Sequence, residues 1–127
     1  MKIEELTHEQ FQLAIRVLAQ QISSYDFTNL YGIPRGGSVV AVYLSHYTGI
    51  PLTQVLSPDK NVLIVDDICD TGDTIGSLAE DFCTAVIYYN KKCTAVVPDF
   101  WVFEAVNFIK FPWETEESAK VDYKEKV

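Results

Sequence analysis

Hydrophobic and polar positions change their period several times along this chain, and each change marks an element. Phe11, Leu13-Ala14, Val17-Leu18 and Ile22 recur at the spacing of one helix face. Thr7-His8-Glu9-Gln10 precedes them in the form of a capping box, so a helix is predicted from there to about Ser23 or Ser24. Thr28 to Ile33 reads as a short strand, broken by Pro34-Arg35-Gly36-Gly37. A small-residue helix then opens with Ser38 as its N-cap and runs to about Tyr47, before Gly49-Ile50-Pro51. Leu52 to Leu56 is a candidate short strand. Asn61 to Asp66 is a buried central strand, a helix is expected from about Thr74 to Phe82, and Thr84 to Tyr89 is the next strand. The N-terminus, Met1 to Glu5, is charged and helical in character. Strands alternating with helices imply an α/β fold with a parallel sheet wound right-handedly. No repeat, low-complexity tract or linker interrupts it, so residues 1–127 read as one domain.

Candidate chemistry is concentrated after the central strand. Val62-Leu63-Ile64-Val65 ends on the carboxylates Asp66 and Asp67, followed by Ile68-Cys69-Asp70-Thr71-Gly72-Asp73-Thr74. Ligands of open parallel sheets bind outside the carboxyl ends of strands. Loop amides and the next helix dipole form an anion site there. Thr71 and Thr74 add hydroxyl donors, and Gly72 allows a tight turn. Asp66 and Asp67 suit a ligand that also offers sugar hydroxyls or a divalent cation. A calcium loop is excluded, because Ile68 stands at the third position, where an oxygen ligand is needed. Arg35-Gly36-Gly37 stands between a strand and a helix; by itself it reads as an ordinary turn, with a guanidinium beside amides that two glycines leave open.

These two segments resemble the signatures of the type I phosphoribosyltransferases: a hydrophobic strand, Asp-Asp, two residues, Asp-Thr-Gly, one residue, Thr, and an upstream pyrophosphate loop. The C-terminal third, Pro98 to Val102 and Asn107 to Glu114, is most similar to the 6-oxopurine branch, the bacterial xanthine–guanine phosphoribosyltransferases. The resemblance implies a mostly parallel central sheet flanked by helices. A small base-recognition hood follows at about 98–114. It implies phosphoribosyl pyrophosphate (PRPP) as one substrate, held by Arg35, Gly36, Gly37, Asp66, Asp67, Asp70, Thr71, Gly72, Asp73 and Thr74. A purine is the other, with Phe108 stacking on it beside Ile109. A lysine near the six-position oxygen is matched by Lys91 or Lys92, with Lys91 favoured. Magnesium is the implied cofactor, held by Asp67 and Asp66. Asp70, with Asp66 and Asp67, is the implied catalytic set, Asp70 handling the proton of the base's imidazole nitrogen. Trp113 reads as structural.

One departure bears on function. Family members usually carry a long mobile loop before the Asp-Asp strand, but only Ser57-Pro58-Asp59-Lys60 separates Leu56 from Asn61 here. Four residues cannot form a lid. Two readings follow: a purine-salvage transferase, or a non-catalytic regulatory protein that binds PRPP or a nucleotide.

Composition adds bounds. A net charge of −8 argues against nucleic-acid binding, and Glu114, Glu116 and Glu117, with Asp122 and Glu125, make the C-terminal tail at 115–127 and its approach acidic, which reads as solvated or partly disordered. No stretch has the length of a membrane span, and no signal peptide is visible, so a cytoplasmic protein is expected. Cys69, Cys83 and Cys93 lack zinc-type spacing and read as reduced thiols. The aromatic content of 13% suits a homodimer or homotetramer interface.

Overall fold

Val62-Leu63-Ile64-Val65 is buried throughout, as a central parallel strand must be when both its faces are covered. In the computed structural model, which describes residues 2–92 and 95–120, this run begins β3 (Val62–Cys69). The other elements are β1 (Ile3–Glu5), α1 (His8–Ile22), β2 (Asn29–Gly32), α2 (Gly36–Thr48), α3 (Asp73–Gly76), β4 (Cys83–Tyr89), β5 (Phe100–Glu104) and β6 (Phe108–Lys110). Four parallel strands form the main sheet in the order β2-β3-β4-β5. On the other side of β2, Leu52 bridges Leu30 in parallel.

The chain therefore reverses its direction of travel beside β2. Helix α2 leads it to Leu52 on one side, and β3 continues the sheet on the other. Right-handed crossovers running in opposite directions place their connections on opposite faces. Accordingly Phe11, Leu18, Val40 and Leu44 of α1 and α2 pack with Leu63 and Val65 on one face. Ile75 of α3 packs with Val62, Ile64 and Val86 on the other. The crevice at such a reversal is where ligands bind in sheets of this kind.

The capping box forms as its residue types require: Gln10 N donates to Thr7 Oγ1 at 3.1 Å and Thr7 N to Gln10 Oε1 at 2.9 Å. Several expectations need correction. Residues 3–5 are a strand rather than a helix, because β1 pairs in parallel with β6 as a small separate sheet. Its acidic side chains find partners there. Glu4 accepts bonds from Tyr88 Oη and Asn107 Nδ2, both at 3.1 Å, and Glu5 lies 3.7 Å from Lys110 Nζ. Helix α2 begins at Gly36 with Arg35 as its N-cap, so Ser38 lies inside the first turn. Between 52 and 56 only the Leu52 bridge forms. Helix α3 is a single turn of 4 residues, followed by turns up to β4. Gly76 and Ser77 are weak helix formers at the point where it stops. The start of the tail is ordered: residues 116–120 are helical, Thr115 and Ser118 cap each other at the entry, and Ala119 is buried. Cys93, Asp122 and Glu125 lie outside the described residues.

Candidate active site

The two carboxylates do not sit at the end of β3. The β2–β3 pairing stops at Gly32↔Val65, whereas the β3–β4 pairing continues through Ile68↔Tyr88 and Cys69↔Tyr89. Asp66 and Asp67 thus lie past the last β2 pair, while the β4 pairing runs on to either side of Asp67, through Asp66↔Val86 and Ile68↔Tyr88. Side-chain alternation slips at this point: Val65 and Ile68 pack into the same cluster, three residues apart instead of two. The slip disturbs the ladder, and the carboxylates take up the amides. Asp66 Oδ1 accepts from Asp67 N at 2.8 Å, and Asp67 Oδ1 accepts from Ile68 N at 2.9 Å.

The space vacated by β2 is filled by the Arg35-Gly36-Gly37 turn, which enters α2 directly. A Cβ on Gly36 would stand 2.0 Å from Asp67 Oδ2, and one on Gly37 would stand 2.6 Å from Val65 O. Neither glycine has a positive φ. Both are required by close approach, not by backbone conformation, a reason the sequence did not disclose. The arrangement brings the first residues of a 13-residue helix close to both carboxylates. The Pro34–Arg35 peptide bond is cis. Asp66 and Asp67 are each 1% exposed.

Beyond β3, Gly72 adopts φ 87°, the left-handed conformation expected of it, and turns the loop into α3. Thr71 Oγ1 accepts from Asp73 N at 3.2 Å. Asp70, Thr71, Gly72 and Thr74 rim a shallow hollow of about 10 Å³ with Ile68, Cys69 and Ile75, and Asp73 is not among its lining residues.

The larger cavity, about 290 Å³, lies between the end of β3 and the hood. Asp67 and Asp70 form one wall, Phe108 and Ile109 another, and Asn90, Lys92, Glu104 and Asn107 contribute polar edges. Residues from the Asp-Asp motif and from the predicted base platform therefore meet in one space. Asp66 and Arg35 are not among the cavity's lining residues. Trp113 is structural as expected: it stacks on Phe111 at 4.9 Å and meets Phe11 edge-on at 5.2 Å. The two candidate lysines part company here. Lys91 Nζ lies 5.0 Å from the centre of the Trp101 ring, a cation–π contact away from the cavity, while Lys92 lines it. The sequence also missed Asn90, Glu104 and Ala119, which reach the cavity only through the fold. Ala119 carries the start of the C-terminal tail onto one wall. The segment from Ser57 to Asn61 is a short turn closed by Lys60 N donating to Ser57 O at 3.1 Å, so no lid arises from it.

Among the described residues no group of three or more His, Cys, Asp or Glu side chains converges as a metal site. Asp67, which lines the cavity, fits magnesium arriving with a diphosphate, because that ion is held by one or two carboxylates plus substrate phosphates; Asp66 lies behind it, outside the cavity lining. Among the described residues no helix is long and apolar enough to cross a membrane.

Known structures share this architecture. A purine phosphoribosyltransferase from Pyrococcus horikoshii Ot3 superposes with a TM-score of 0.80 at 33% identity, over 91% of this chain and 96% of that one. Helicobacter pylori xanthine-guanine-hypoxanthine phosphoribosyltransferase superposes at 0.77 with 16% identity, over 99% of this chain and 100% of that one. A hypothetical protein from Neisseria gonorrhoeae with bound ppGpp superposes at 0.71 with 20% identity, over 97% of this chain and 96% of that one. No protein-family model and no curated protein sequence matches the chain.

Proposed function

Because this chain belongs to the purine phosphoribosyltransferases, a family of enzymes, we propose that it transfers ribose 5-phosphate from PRPP to a 6-oxopurine: xanthine, guanine or hypoxanthine. The observation that carries this reading is the shared cavity, in which Asp67 and Asp70 face Phe108 and Ile109. A flat base needs an aromatic or aliphatic platform and an edge of polar partners, and its reacting nitrogen must lie beside the sugar's anomeric carbon. The Lys92 ammonium, a donor with no acceptor, lies on the cavity edge and favours a base that carries an oxygen at its six-position.

The residues then divide the work. The amides at the start of α2, with Arg35, hold the pyrophosphate. The loop from Asp70 to Thr74 holds the 5-phosphate. Asp67 meets the ribose hydroxyls, and Asp66, bonded to the Asp67 amide, keeps the strand in register beneath them. Magnesium would be held by Asp67, with the Asp66 charge buried behind it, and would neutralise charge on the pyrophosphate. The bond from the anomeric carbon to pyrophosphate breaks, and one forms from that carbon to the imidazole nitrogen of the purine. Asp70 takes the proton that this nitrogen loses. Positive charge developing on the sugar is favoured by the nearby carboxylates.

Wild-type protein incubated with PRPP, magnesium and each purine in turn tests this reading, with nucleotide and pyrophosphate measured by mass. Nucleotide is expected with a 6-oxopurine, and Asp70→Asn is expected to lower its formation by about 10²- to 10⁴-fold, the usual contribution of a positioned acid or base. Turnover with adenine alone would refute the choice of base. The short turn at Ser57 to Asn61 favours a second reading, a protein that binds PRPP or a nucleotide without catalysis. Saturable binding by calorimetry without turnover on any base would establish it. Exposed Tyr25, Val42, Tyr47 and Leu52 suit self-association as a homodimer or homotetramer, which a single monomeric species in light scattering would rule out.

A further inference from the structure

We propose that Asn90 is the positioning residue for Asp70. The inference rests on the reading of Asp70 as the carboxylate that takes the purine's proton. Asn90 follows β4 and is tied down at both ends. Its backbone N donates to Cys69 O at 2.9 Å, which extends the β3–β4 pairing by one bond. Its side-chain Oδ1 accepts from Lys92 N at 3.0 Å. Its Nδ2 donates to Asp70 Oδ1 at 2.7 Å.

The Lys92 amide decides which way the side chain of Asn90 faces. A backbone N–H can only donate, so Oδ1 must point to it and Nδ2 must point to Asp70. The amide thus has one orientation, held from both sides. Its bond to the carboxylate is short and charge-assisted.

Asp70 needs such support. It stands past the last β3–β4 pair, Cys69↔Tyr89, just before Gly72 turns the chain. No strand ladder constrains it there. The same residue borders both the hollow of the phosphate loop and the cavity, so its side chain has two spaces to enter. Bonding Oδ1 to Asn90 fixes the carboxylate plane and hence the direction of Oδ2. The tie runs across the sheet from β4, so it holds Asp70 on the cavity side. Lys92 and Asn90 both line that cavity, which couples the lysine's backbone to the carboxylate through one side chain.

Steady-state kinetics of the wild type, Asp70→Asn, Asn90→Asp and Asn90→Ala test the proposal, each variant being checked by thermal melting. Asn90→Asp keeps the size of the side chain, the bond to Lys92 N and the backbone bond to Cys69 O, but replaces the donor facing Asp70. It is expected to lower kcat about 10²-fold with melting and both KM values nearly unchanged, since misplacing a catalytic group by about 1 Å costs that much. Asn90→Ala, which removes the donor without adding charge, is expected to lower kcat by a smaller factor, again at constant KM. A merely structural role would instead lower the melting temperature or raise KM. The proposal is overturned if Asp70→Asn abolishes turnover while both Asn90 variants keep wild-type kcat, or if their loss follows KM or melting. Full turnover in Asp70→Asn, or none in the wild type, would remove the role of Asp70 itself and this inference with it.

Discussion

Substituting Gly37 by alanine gives the sharpest test of how the site is assembled. Its Cβ would stand 2.6 Å from Val65 O and 3.0 Å from Asp66 Cα, both backbone atoms of the central strand. An ordinary carbon–oxygen contact is about 0.7 Å longer than the first of these, because carbon pairs are at rest only near 3.5 to 4.0 Å. No rotamer relieves the overlap, so α2 must lift from β3 or β3 must bend. Overpacking of this kind costs about 1–3 kcal/mol. With an unfolding entropy of about 2.1 cal/mol/K per residue, 127 residues convert that cost to a fall in Tm of about 4–11 °C. Differential scanning calorimetry reads the shift directly. Gly36→Ala is the informative companion, because its new methyl would meet Asp67 Oδ2 at 2.0 Å, a side chain instead of the strand. It is expected to weaken PRPP binding by isothermal calorimetry more than it lowers Tm. Gly76→Ala is the control: nothing lies within 4 Å of its Cβ position, so it should be neutral or slightly stabilising. Gly37→Ala melting within about 1 °C of wild type would refute the claim that close approach requires this glycine.

Other outcomes follow from the geometry. Lys92→Ala should raise KM for the purine, whereas Lys91→Ala should leave kinetics unchanged and cost about 0.5–1 kcal/mol through its exposed contact with Trp101, measured by urea denaturation. Glu4→Gln should destabilise by about 1 kcal/mol, because Oε1 can keep Asn107 Nδ2 and Tyr88 Oη can accept from the new amide, but both bonds lose their charged acceptor. Burial, reinforced by the Glu4 charge and hydrogen bond, raises the Tyr88 phenol above its ordinary range. A raised pKa in the folded state means stability is fully present below the ordinary phenol range and is lost as pH climbs above about 10. Spectrophotometric titration should show Tyr88 ionising late in the wild type and earlier in Glu4→Gln. Burial and, secondarily, Asp99 also raise the Cys83 thiol, so alkylation there should be slow at neutral pH.

The capping box at Thr7, the buried run from Val62 to Val65, the left-handed Gly72 and the parallel α/β plan were legible in the sequence. Each is governed by neighbours within a few positions: a side chain reaching the third amide, a period of apolar residues, a missing Cβ. The residue types of the Asp-Asp and Arg-Gly-Gly segments likewise announced phosphate and sugar chemistry. Tertiary structure decided what local rules could not. Ile3–Glu5 is a strand only because Phe108–Lys110 lies beside it, more than a hundred residues away. Asp66 and Asp67 remain inside β3 because β4 continues past the point where β2 stops. One residue of register sends the Lys91 side chain to Trp101 and brings Lys92 to the cavity. Asn90, an unremarkable loop residue by type, became a partner of Asp70 because adjacent parallel strands deliver their carboxyl ends side by side. Spacing along a chain determines which groups are available, but only the packing of strands and hood determines which of them share a space.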